Sequence, residues 1–207
     1  MSGSGLRVGV VGTGALGSHH ARVFAGLDNA KLTMVFDLDP SKALAVGAPL
    51  GAAVAANLDA FIASVDAAVV AVPTLVHAEL AAALIRAGRH VLVEKPAFPG
   101  LSDYEAVRTA RDAAGRVILV GENDHYKPLV RTLQRLIAAD VIGEMVFAHF
   151  STIAHRLKAA DDWRNDETMA GGDAFFEEGI HWLHIAGSLG PKIVTARGYR
   201  PEVSRAP

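Results

Sequence analysis

Apolar runs alternate with helix-like segments along the first half of the chain. The run over 67–72 is short and continuous, which is typical of a strand buried on both faces of a parallel sheet. The segments between the runs are helix-like, and those over 76–87 and 101–114 end at Gly88 and Gly115. This alternation predicts a doubly wound α/β fold, in which ligands bind at the carboxyl ends of the strands. The predicted strands are the run that ends at Val11 and residues 31–36, 53–55, 67–72, 90–93 and 117–120, and the predicted helices after the first are 40–50, 58–63, 76–87 and 101–114.

The pattern changes after Asn123, where we place a domain boundary. The next segment is amphipathic and carries a basic stripe, which is more typical of a solvated helix face than of a phosphate-binding surface. An alternating segment and a longer helical segment follow it. The sequence therefore predicts one domain over 1–123 and a second, incomplete α/β domain over 124–207. The elements predicted in the second domain are helices 126–139 and 173–189 and strands 143–153 and 193–199.

Composition narrows the classes of protein that fit this pattern. Apolar residues make up 51% of the chain and charged residues 20%, which is enough for a well-buried core. Twenty-two acidic and twenty basic residues give a net charge of −2, which argues against a nucleic-acid or anionic membrane surface. There is no cysteine, so neither a disulfide framework nor thiolate chemistry is expected. The first residues have no secretory signal, and Pro73 interrupts the longest apolar stretch, so we expect a soluble, cytoplasmic protein.

A glycine-rich turn follows the first predicted strand. Its glycines have the spacing G-x-G-x-x-G, which allows a tight turn, close approach of a pyrophosphate and close packing of helix against strand. Asp37 follows the second strand, where an acidic side chain accepts hydrogen bonds from the adenosine ribose. A purely structural turn and a helix-capping role for Asp37 are the alternatives. The residues predicted to contact a dinucleotide here are Gly12, Thr13, Gly14, Ala15, Leu16, Gly17 and Asp37.

The residues after Asp37 favour NAD over NADP. Leu38 stands where an arginine would receive a 2′-phosphate, and the nearby Lys42 keeps NADP as the alternative.

Glu94, Lys95 and Pro96 directly follow the buried strand 90–93. A charged pair at this position is costly unless its surroundings use it. At the carboxyl edge of the sheet, Lys95 would reach the mouth of the cofactor cleft and act in acid–base chemistry. A surface ion pair beside a loop proline is the alternative.

Glu177, His181 and His184 have helical spacing, which would place them on one face of a helix. Three interpretations fit this set. His181 is a general acid–base group oriented by Glu177, or the three side chains ligate a metal, or the face is polar and its histidines are satisfied by hydrogen bonds.

Taken together, these motifs resemble the Gfo/Idh/MocA oxidoreductases. The resemblance rests on the glycine-rich turn, on Glu94-Lys95-Pro96, on Asp162-Trp163-Arg164, and on Gly171-Gly172 followed by Glu177, Gly179 and His181. It implies an N-terminal Rossmann domain and a C-terminal domain with an open, largely antiparallel sheet. It also implies NAD(P)-linked oxidation of a sugar, cyclitol or related hydroxyl, in oligomers that pair through the open sheet.

The resemblance also implies roles for individual residues. Lys95 resembles the catalytic lysine, Glu94 its partner at the nicotinamide ribose, and His181 the acid–base histidine. Glu177 falls where aspartate is commoner, so its role is less defined, and His184 falls where relatives are often acidic, so no metal is predicted. The further positions that match the family's cofactor-contacting segments are Pro73, Thr74, His77, Asn123, Trp163 and Arg164.

The function predicted from these observations is that of an NAD(P)-dependent dehydrogenase acting on CH–OH groups. Two alternatives stay open: a relative that uses retained NAD for glycoside cleavage or epimerisation, and a dinucleotide-binding protein without catalysis. Family members typically continue well past Tyr199, so this chain is expected to be a fragment or a shortened member that completes its second sheet by other means.

Overall fold

The computed structural model describes residues 5–152, 162, 169, 172, 175–190 and 192–199. Among these residues, six parallel strands form one sheet with the order β3-β2-β1-β4-β5-β6. The strand order reverses between β1 and β4, which is the position where doubly wound sheets bind ligands. The predicted doubly wound sheet is therefore confirmed. The strands are β1 Leu6–Val11, β2 Ala30–Phe36, β3 Ala53–Val54, β4 Ala67–Val70, β5 His90–Val93 and β6 Ile118–Val120.

Helices connect the strands, and their ends follow from local sequence signals. Asp39 caps α2 by accepting a hydrogen bond from the amide of Ser41, and Asn57 caps α3 through the amide of Ala60. Gly115 ends α5 in the left-handed conformation that glycine adopts without strain. The helices are α1 Ala15–Ala25, α2 Pro40–Gly47, α3 Leu58–Ser64, α4 His77–Arg86, α5 Leu101–Ala114, α6 Pro128–Ala138 and α7 Ile180–Ser188.

Both faces of the sheet are buried, as the continuous apolar runs predict. Val8 and Val10 of β1 point into the core on one face, while Val11 points into the core on the other. Phe61 of α3 is fully buried, and its ring occupies the space beside Gly9 that a side chain there would fill. The sheet is thus a rigid platform for the loops at its carboxyl edge.

The chain divides into two compact units, which we describe separately. The first unit contains residues Met1–Glu122 and Ala154–Glu178, and the second contains Asn123–Ile153 and Gly179–Pro207. In the second unit, Val130 of α6 packs with Ile185 and Leu189 at α7, and Trp182 stacks near Phe150 with ring centres 5.7 Å apart. These contacts give the second unit a small apolar core of its own.

Two strands that the sequence predicts in the second unit are absent from its described residues. Residues 143–152 and 192–199 have no strand structure. A strand requires a hydrogen-bonded neighbour, and alternation predicts one covered face. The adjacent residues Val146 and Phe147 are instead 91% and 82% exposed, while Met145 and Phe150 pack partly buried against the apolar core of this unit, so the buried positions do not alternate as those of a strand would. The open sheet of the second domain therefore stays an implication of the resemblance.

Within the described residues, no helix combines the length and the apolar composition that crossing a membrane requires.

An ion pair joins the first residues of β1 to the loop before β4. The amide and the guanidinium of Arg7 donate to both carboxylate oxygens of Asp66, at 2.6–3.1 Å. These hydrogen bonds, reinforced by the charge of Arg7, lower the pKa of Asp66 from 3.8 to about 2. The pair thus fixes two central strands against each other at the amino edge of the sheet.

We expect Asp66→Asn to remove a stabilisation that depends on pH. Because the folded pKa of Asp66 lies below its unfolded value, the stabilisation is complete above about pH 4 and is lost as the pH falls toward about 2. In urea unfolding, the difference in unfolding free energy between wild type and variant should shrink over this range. Asp28→Asn, in the exposed bend before β2, is the control. A wild-type advantage that stays constant down to pH 2 would contradict this account.

Candidate functional site

A cleft of about 490 Å³ lies at the carboxyl edge of the sheet in the first unit. Its volume is within the usual range for cofactor and ligand sites, about 300–1,000 Å³. The ends of β1, β2, β4 and β5 all contribute to its walls. The site residues predicted from the sequence that line it are Gly12, Gly14, Ala15, Leu16, Asp37, Pro73, Thr74, Glu94, Lys95 and Glu177.

The glycine-rich turn has the geometry that close approach of a phosphate requires. Gly12 has φ +83°, and a Cβ on Gly17 would collide with the carbonyl oxygen of Gly12. The turn is therefore so tight that the two glycines touch through their backbones. A Cβ on Gly14 would meet no atom within 4 Å, so Gly14 leaves open space at the N-terminus of α1. The free amides and the positive end of the helix dipole at this terminus fit an anionic pyrophosphate.

The carboxylate of Asp37 lies beside this turn. Its Oδ2 accepts hydrogen bonds from the amide of Thr13 at 2.7 Å and from the Thr13 hydroxyl at 2.8 Å, and its Oδ1 accepts one from the amide of Asp39 at 3.0 Å. Burial alone would raise the pKa of Asp37, but these hydrogen bonds and the charge of Lys42 outweigh it and leave the pKa below its usual value. Asp37 is therefore ionised at neutral pH. The capping role considered for it is wrong, because Asp39 caps α2.

Glu94 and Lys95 occupy the opposite wall, after β5. The side chain of Lys95 donates from Nζ to the carbonyl oxygen of Glu177 at 3.2 Å, and the Lys95–Pro96 peptide is cis. Glu94 is only 8% exposed, and its Oε2 accepts from the amide of Lys95 at 3.0 Å. The charged pair is thus built into the cleft, as a functional interpretation of this tripeptide predicts.

His20 is a residue of this site that sequence reasoning missed. Its Nε2 lies 2.6 Å from Oε1 of Glu94. Burial alone would raise the pKa of Glu94, but the hydrogen bond and charge of His20, with smaller contributions from Lys95, hold the pKa below its usual value. A usable signal existed: His20 follows Gly17 by one helical turn, so it lies next to the buried face of α1.

His77 is buried behind the cleft rather than on its wall. It is 1% exposed, and burial lowers the pKa of its ring below the usual value. Its Nε2 lies 2.8 Å from the carbonyl oxygen of Val72, and its Nδ1 lies 3.0 Å from that of Pro96. The ring therefore joins the loop after β4 to the loop after β5. Its predicted contact with the cofactor stays a prediction.

The helix predicted over 173–189 is regular only in its second part. The described residues Phe175–Gly179 form a π-helical turn, and the α-helix α7 begins at Ile180. Glu177 therefore lies in the π-helical turn, whereas His181 and His184 both lie on α7, and the shared face of the three side chains stays a prediction. Glu177 belongs to the first unit, where its backbone carbonyl receives the hydrogen bond from Lys95.

His181 belongs to the second unit, on α7. Its side chain is 14% exposed, and its Nδ1 lies 4.0 Å from Oδ1 of Asp124, a carboxylate that also pairs with Nζ of Lys127 at 2.6 Å. Asn123 precedes this group and is exposed. Trp163 and Arg164 lie outside the described residues. The convergence of Lys95 and His181 on one reacting carbon stays a prediction.

Comparison with known proteins identifies the family. The family model described as an oxidoreductase family with an NAD-binding Rossmann fold, GFO_IDH_MocA, matches residues 6–122. The model of the GFO/IDH/MocA C-terminal domain matches residues 130–204. The chain belongs to the Gfo/Idh/MocA oxidoreductase family. Residues 6–122 therefore form the NAD-binding Rossmann domain of this family.

Three relatives illustrate the family's range. Inositol 2-dehydrogenase 4 of Saccharopolyspora erythraea is 37% identical, over 100% of this chain and 60% of its own length. The 2,7-anhydro-N-acetylneuraminate hydratase of Escherichia coli K12 is 30% identical, over 93% of this chain and 52% of its own. The crystal structure of GenD2 from gentamicin A biosynthesis, in complex with NAD, superimposes with a TM-score of 0.78 at 28% identity, over 91% of this chain and 54% of that one. The chain thus spans about half the length of the relatives it matches.

We expect Gly14→Ala and Gly17→Ala to separate ligand binding from folding. Alanine at 14 meets no neighbour, so the unfolding free energy should change by less than about 0.5 kcal/mol while NAD affinity falls about tenfold or more. Alanine at 17 collides with the turn and should cost about 1–3 kcal/mol of stability. Thermal unfolding and NAD titration by calorimetry measure both effects. Unchanged NAD affinity in Gly14→Ala would mean that the pyrophosphate does not bind at this helix terminus.

Proposed function

We propose that this protein is an NAD-dependent oxidoreductase that transfers a hydride between the nicotinamide and a hydroxyl of a sugar, cyclitol or related polyol. One observation carries the proposal. Lys95, a proton-carrying side chain, lies at the carboxyl end of β5 in the same cleft as the glycine-rich turn and Asp37. A single cleft thereby combines the features that hold a dinucleotide with a group suited to acid–base catalysis.

The residues of the cleft fit NAD along its length. The amides at the start of α1 would bind the pyrophosphate, Asp37 would accept the hydroxyls of the adenosine ribose, and Glu94 would accept those of the nicotinamide ribose. When bound, the nicotinamide supplies the acceptor for the hydride. Pro73 and Thr74 line the same cleft. NADP remains the alternative cofactor.

Lys95 and His181 divide the proton chemistry in this proposal. The ammonium of Lys95 is tethered by the carbonyl oxygen of Glu177, which limits the motion of Nζ. A fixed Nζ can stabilise the negative charge that develops on the substrate oxygen, and the imidazole of His181 can accept the hydroxyl proton. The opposite assignment, in which Lys95 takes the proton, uses the same two groups. Glu177 acts through its backbone carbonyl.

The substrate class follows from the relatives and from the chemistry of the two groups. A relative at 37% identity is named inositol 2-dehydrogenase, and inositol is a cyclic polyol. A cationic nitrogen and an imidazole suit the oxidation of a secondary alcohol that has further hydroxyls to bind. We extend this substrate class to the present chain as a proposal, because the chain covers 60% of that relative.

A second candidate function has one observation in its favour. A relative at 30% identity over 93% of this chain is named a hydratase, which describes a reaction without net oxidation. Retained NAD could serve such a reaction by oxidising the substrate transiently and returning the hydride in the same turnover. The same cleft and the same Lys95 would be used, and only the fate of the hydride would differ.

The exposed apolar surface of the second unit bears on how the protein assembles. The second unit exposes large apolar side chains, including Val194 at 85% and Tyr199 at 89%, besides Val146 and Phe147. Exposed apolar patches of this kind commonly mark protein interfaces. We therefore propose a homo-oligomer that forms through the second unit, a polyhydroxylated small molecule as the substrate, and no nucleic-acid partner. The cytoplasmic location stays a prediction.

We expect the oligomer to dissociate when Phe147 is replaced by Asp, because a buried unpaired charge is costly at an apolar interface. Light scattering coupled to size-exclusion chromatography should give a multiple of 21.7 kDa for wild type and 21.7 kDa for Phe147→Asp. Leu101→Asp, at a 70% exposed position of the first unit, is the matched control and should leave the mass unchanged. A monomeric wild type would refute the assembly proposal.

We expect Lys95→Met and His181→Asn to retain NAD binding within about threefold and to lose about 10²- to 10⁴-fold in kcat. The assay follows NADH absorbance with a panel of inositols and sugars, and NAD binding is measured separately. Lys31→Met, exposed near the start of β2, and His184→Asn, exposed on α7, are the matched controls.

Each outcome of this assay discriminates between functions. Product formation without accumulation of NADH would support the second candidate over a dehydrogenase. Full turnover by either variant would remove that residue from the mechanism. Binding of NAD without turnover of any substrate would favour a non-catalytic family member and overturn the proposed activity.

A further inference from the structure

The hydroxyl of Thr13 has one described partner, and that partner is the Asp37 carboxylate. The two oxygens are 2.8 Å apart, and Thr13 is 5% exposed, so the hydroxyl is removed from competing water. The peptide of Thr13 is fixed in addition, because its carbonyl oxygen accepts a hydrogen bond from the hydroxyl of Ser18 at 2.8 Å. Hydrogen bonds therefore fix both the hydroxyl and the carbonyl group of Thr13, and the hydroxyl points toward Asp37.

The side chain of residue 13 adds something that the backbone does not. Any residue except proline at this position would offer its amide to Asp37, as Thr13 does at 2.7 Å. Only a hydroxyl adds a second donor to the same Oδ2. Two donors on one oxygen and one on the other, from Asp39, hold the carboxylate in a single orientation at the wall of the cleft.

A fixed negative charge at this wall discriminates between dinucleotides. A ribose with free hydroxyls can donate hydrogen bonds to the carboxylate, whereas a 2′-phosphate brings negative charge against it. The nearby cation is Lys42, whose charge acts on Asp37 and would attract a phosphate. The preference for one cofactor thus depends on how firmly the carboxylate is held against the attraction of Lys42.

We propose that Thr13 is a positioning residue that fixes the Asp37 carboxylate and thereby sets the preference of the cleft for NAD over NADP. The proposal rests on the proposed function, because it requires a dinucleotide in this cleft. It assigns Thr13 a role in specificity through Asp37, beyond any backbone contact that the glycine-rich turn makes with the pyrophosphate. No covalent step is involved.

The test compares dissociation constants for NAD⁺ and NADP⁺ in wild type, Thr13→Val and Thr13→Ser. Valine matches the shape of threonine and lacks the hydroxyl, while serine retains it. For Thr13→Val we expect weaker NAD⁺ binding and a fall of about tenfold in the ratio of the NADP⁺ to the NAD⁺ constant. Thr13→Ser should restore the ratio to within about threefold of wild type. A loss of packing alone would weaken both cofactors equally and leave the ratio unchanged.

The control is Thr33→Val on β2, which removes a hydroxyl that contacts the carbonyl oxygen of Val8 at 3.4 Å, away from the cleft. It should leave both constants unchanged. Thermal unfolding of each variant identifies any loss of fold, and Thr13→Ser still tests the proposal if the valine variant is unstable, since a serine variant with an altered ratio would refute it.

The two failures are distinguishable. If wild type binds NAD⁺ more tightly than NADP⁺ and Thr13→Val has the same ratio, this inference is wrong while the proposed function stands. If wild type prefers NADP⁺, the specificity role of Thr13 is wrong although a dinucleotide is bound. If wild type binds neither dinucleotide, the proposed function and this inference are both overturned.

Discussion

The structure depends on a single backbone contact, the approach of Gly17 to the carbonyl of Gly12. The end of β1 turns directly into α1 there, and no side chain fits between the two residues. The contact places the helix N-terminus over the carboxyl edge of the sheet, beside the point where the strand order reverses. Without it, α1 would start farther from the sheet, and neither the open space at Gly14 nor the Thr13–Asp37 hydrogen bonds would have their present geometry.

Besides their bonds to neighbours in sequence, the polar groups around the cleft are joined to other elements of the fold. Asp37 after β2 is bound to the turn after β1, Glu94 after β5 is bound to His20 on α1, and His77 joins the loops after β4 and β5. Burying such groups is costly unless each has a partner. Because each partner lies on a different element, the bonds that satisfy these groups also fix the positions of the loops.

Much of the first unit could be predicted from the sequence, since its elements are encoded locally. Buried strands read as continuous apolar runs, and helix ends carry caps, as Asp39 and Asn57 do. Strand β5 and helix α5 have the predicted bounds.

The His20–Glu94 pair could not be predicted with the same ease, because it joins residues far apart in the chain and only the packing of α1 on the sheet brings them together. The strand predicted over 143–153 is absent from the described residues 143–152 for a related reason. An alternating pattern indicates only a tendency to form a strand, and a strand forms only when a neighbouring strand completes its hydrogen bonds.

The positions of the charged groups in the cleft determine which kind of ligand it can bind. Asp37 and Glu94 are both carboxylates on the wall of one cleft, and hydrogen bonds keep the pKa of each below its usual value despite burial. Both carboxylates are therefore fixed hydrogen-bond acceptors at neutral pH. The hydroxyl groups of a ligand can donate to them, whereas an anionic group of a ligand would be repelled. The amides at the start of α1 have the opposite preference and suit an anion. A ligand that meets all of these conditions must present hydroxyl groups on each side of a phosphate, and a dinucleotide has this order of groups along its length.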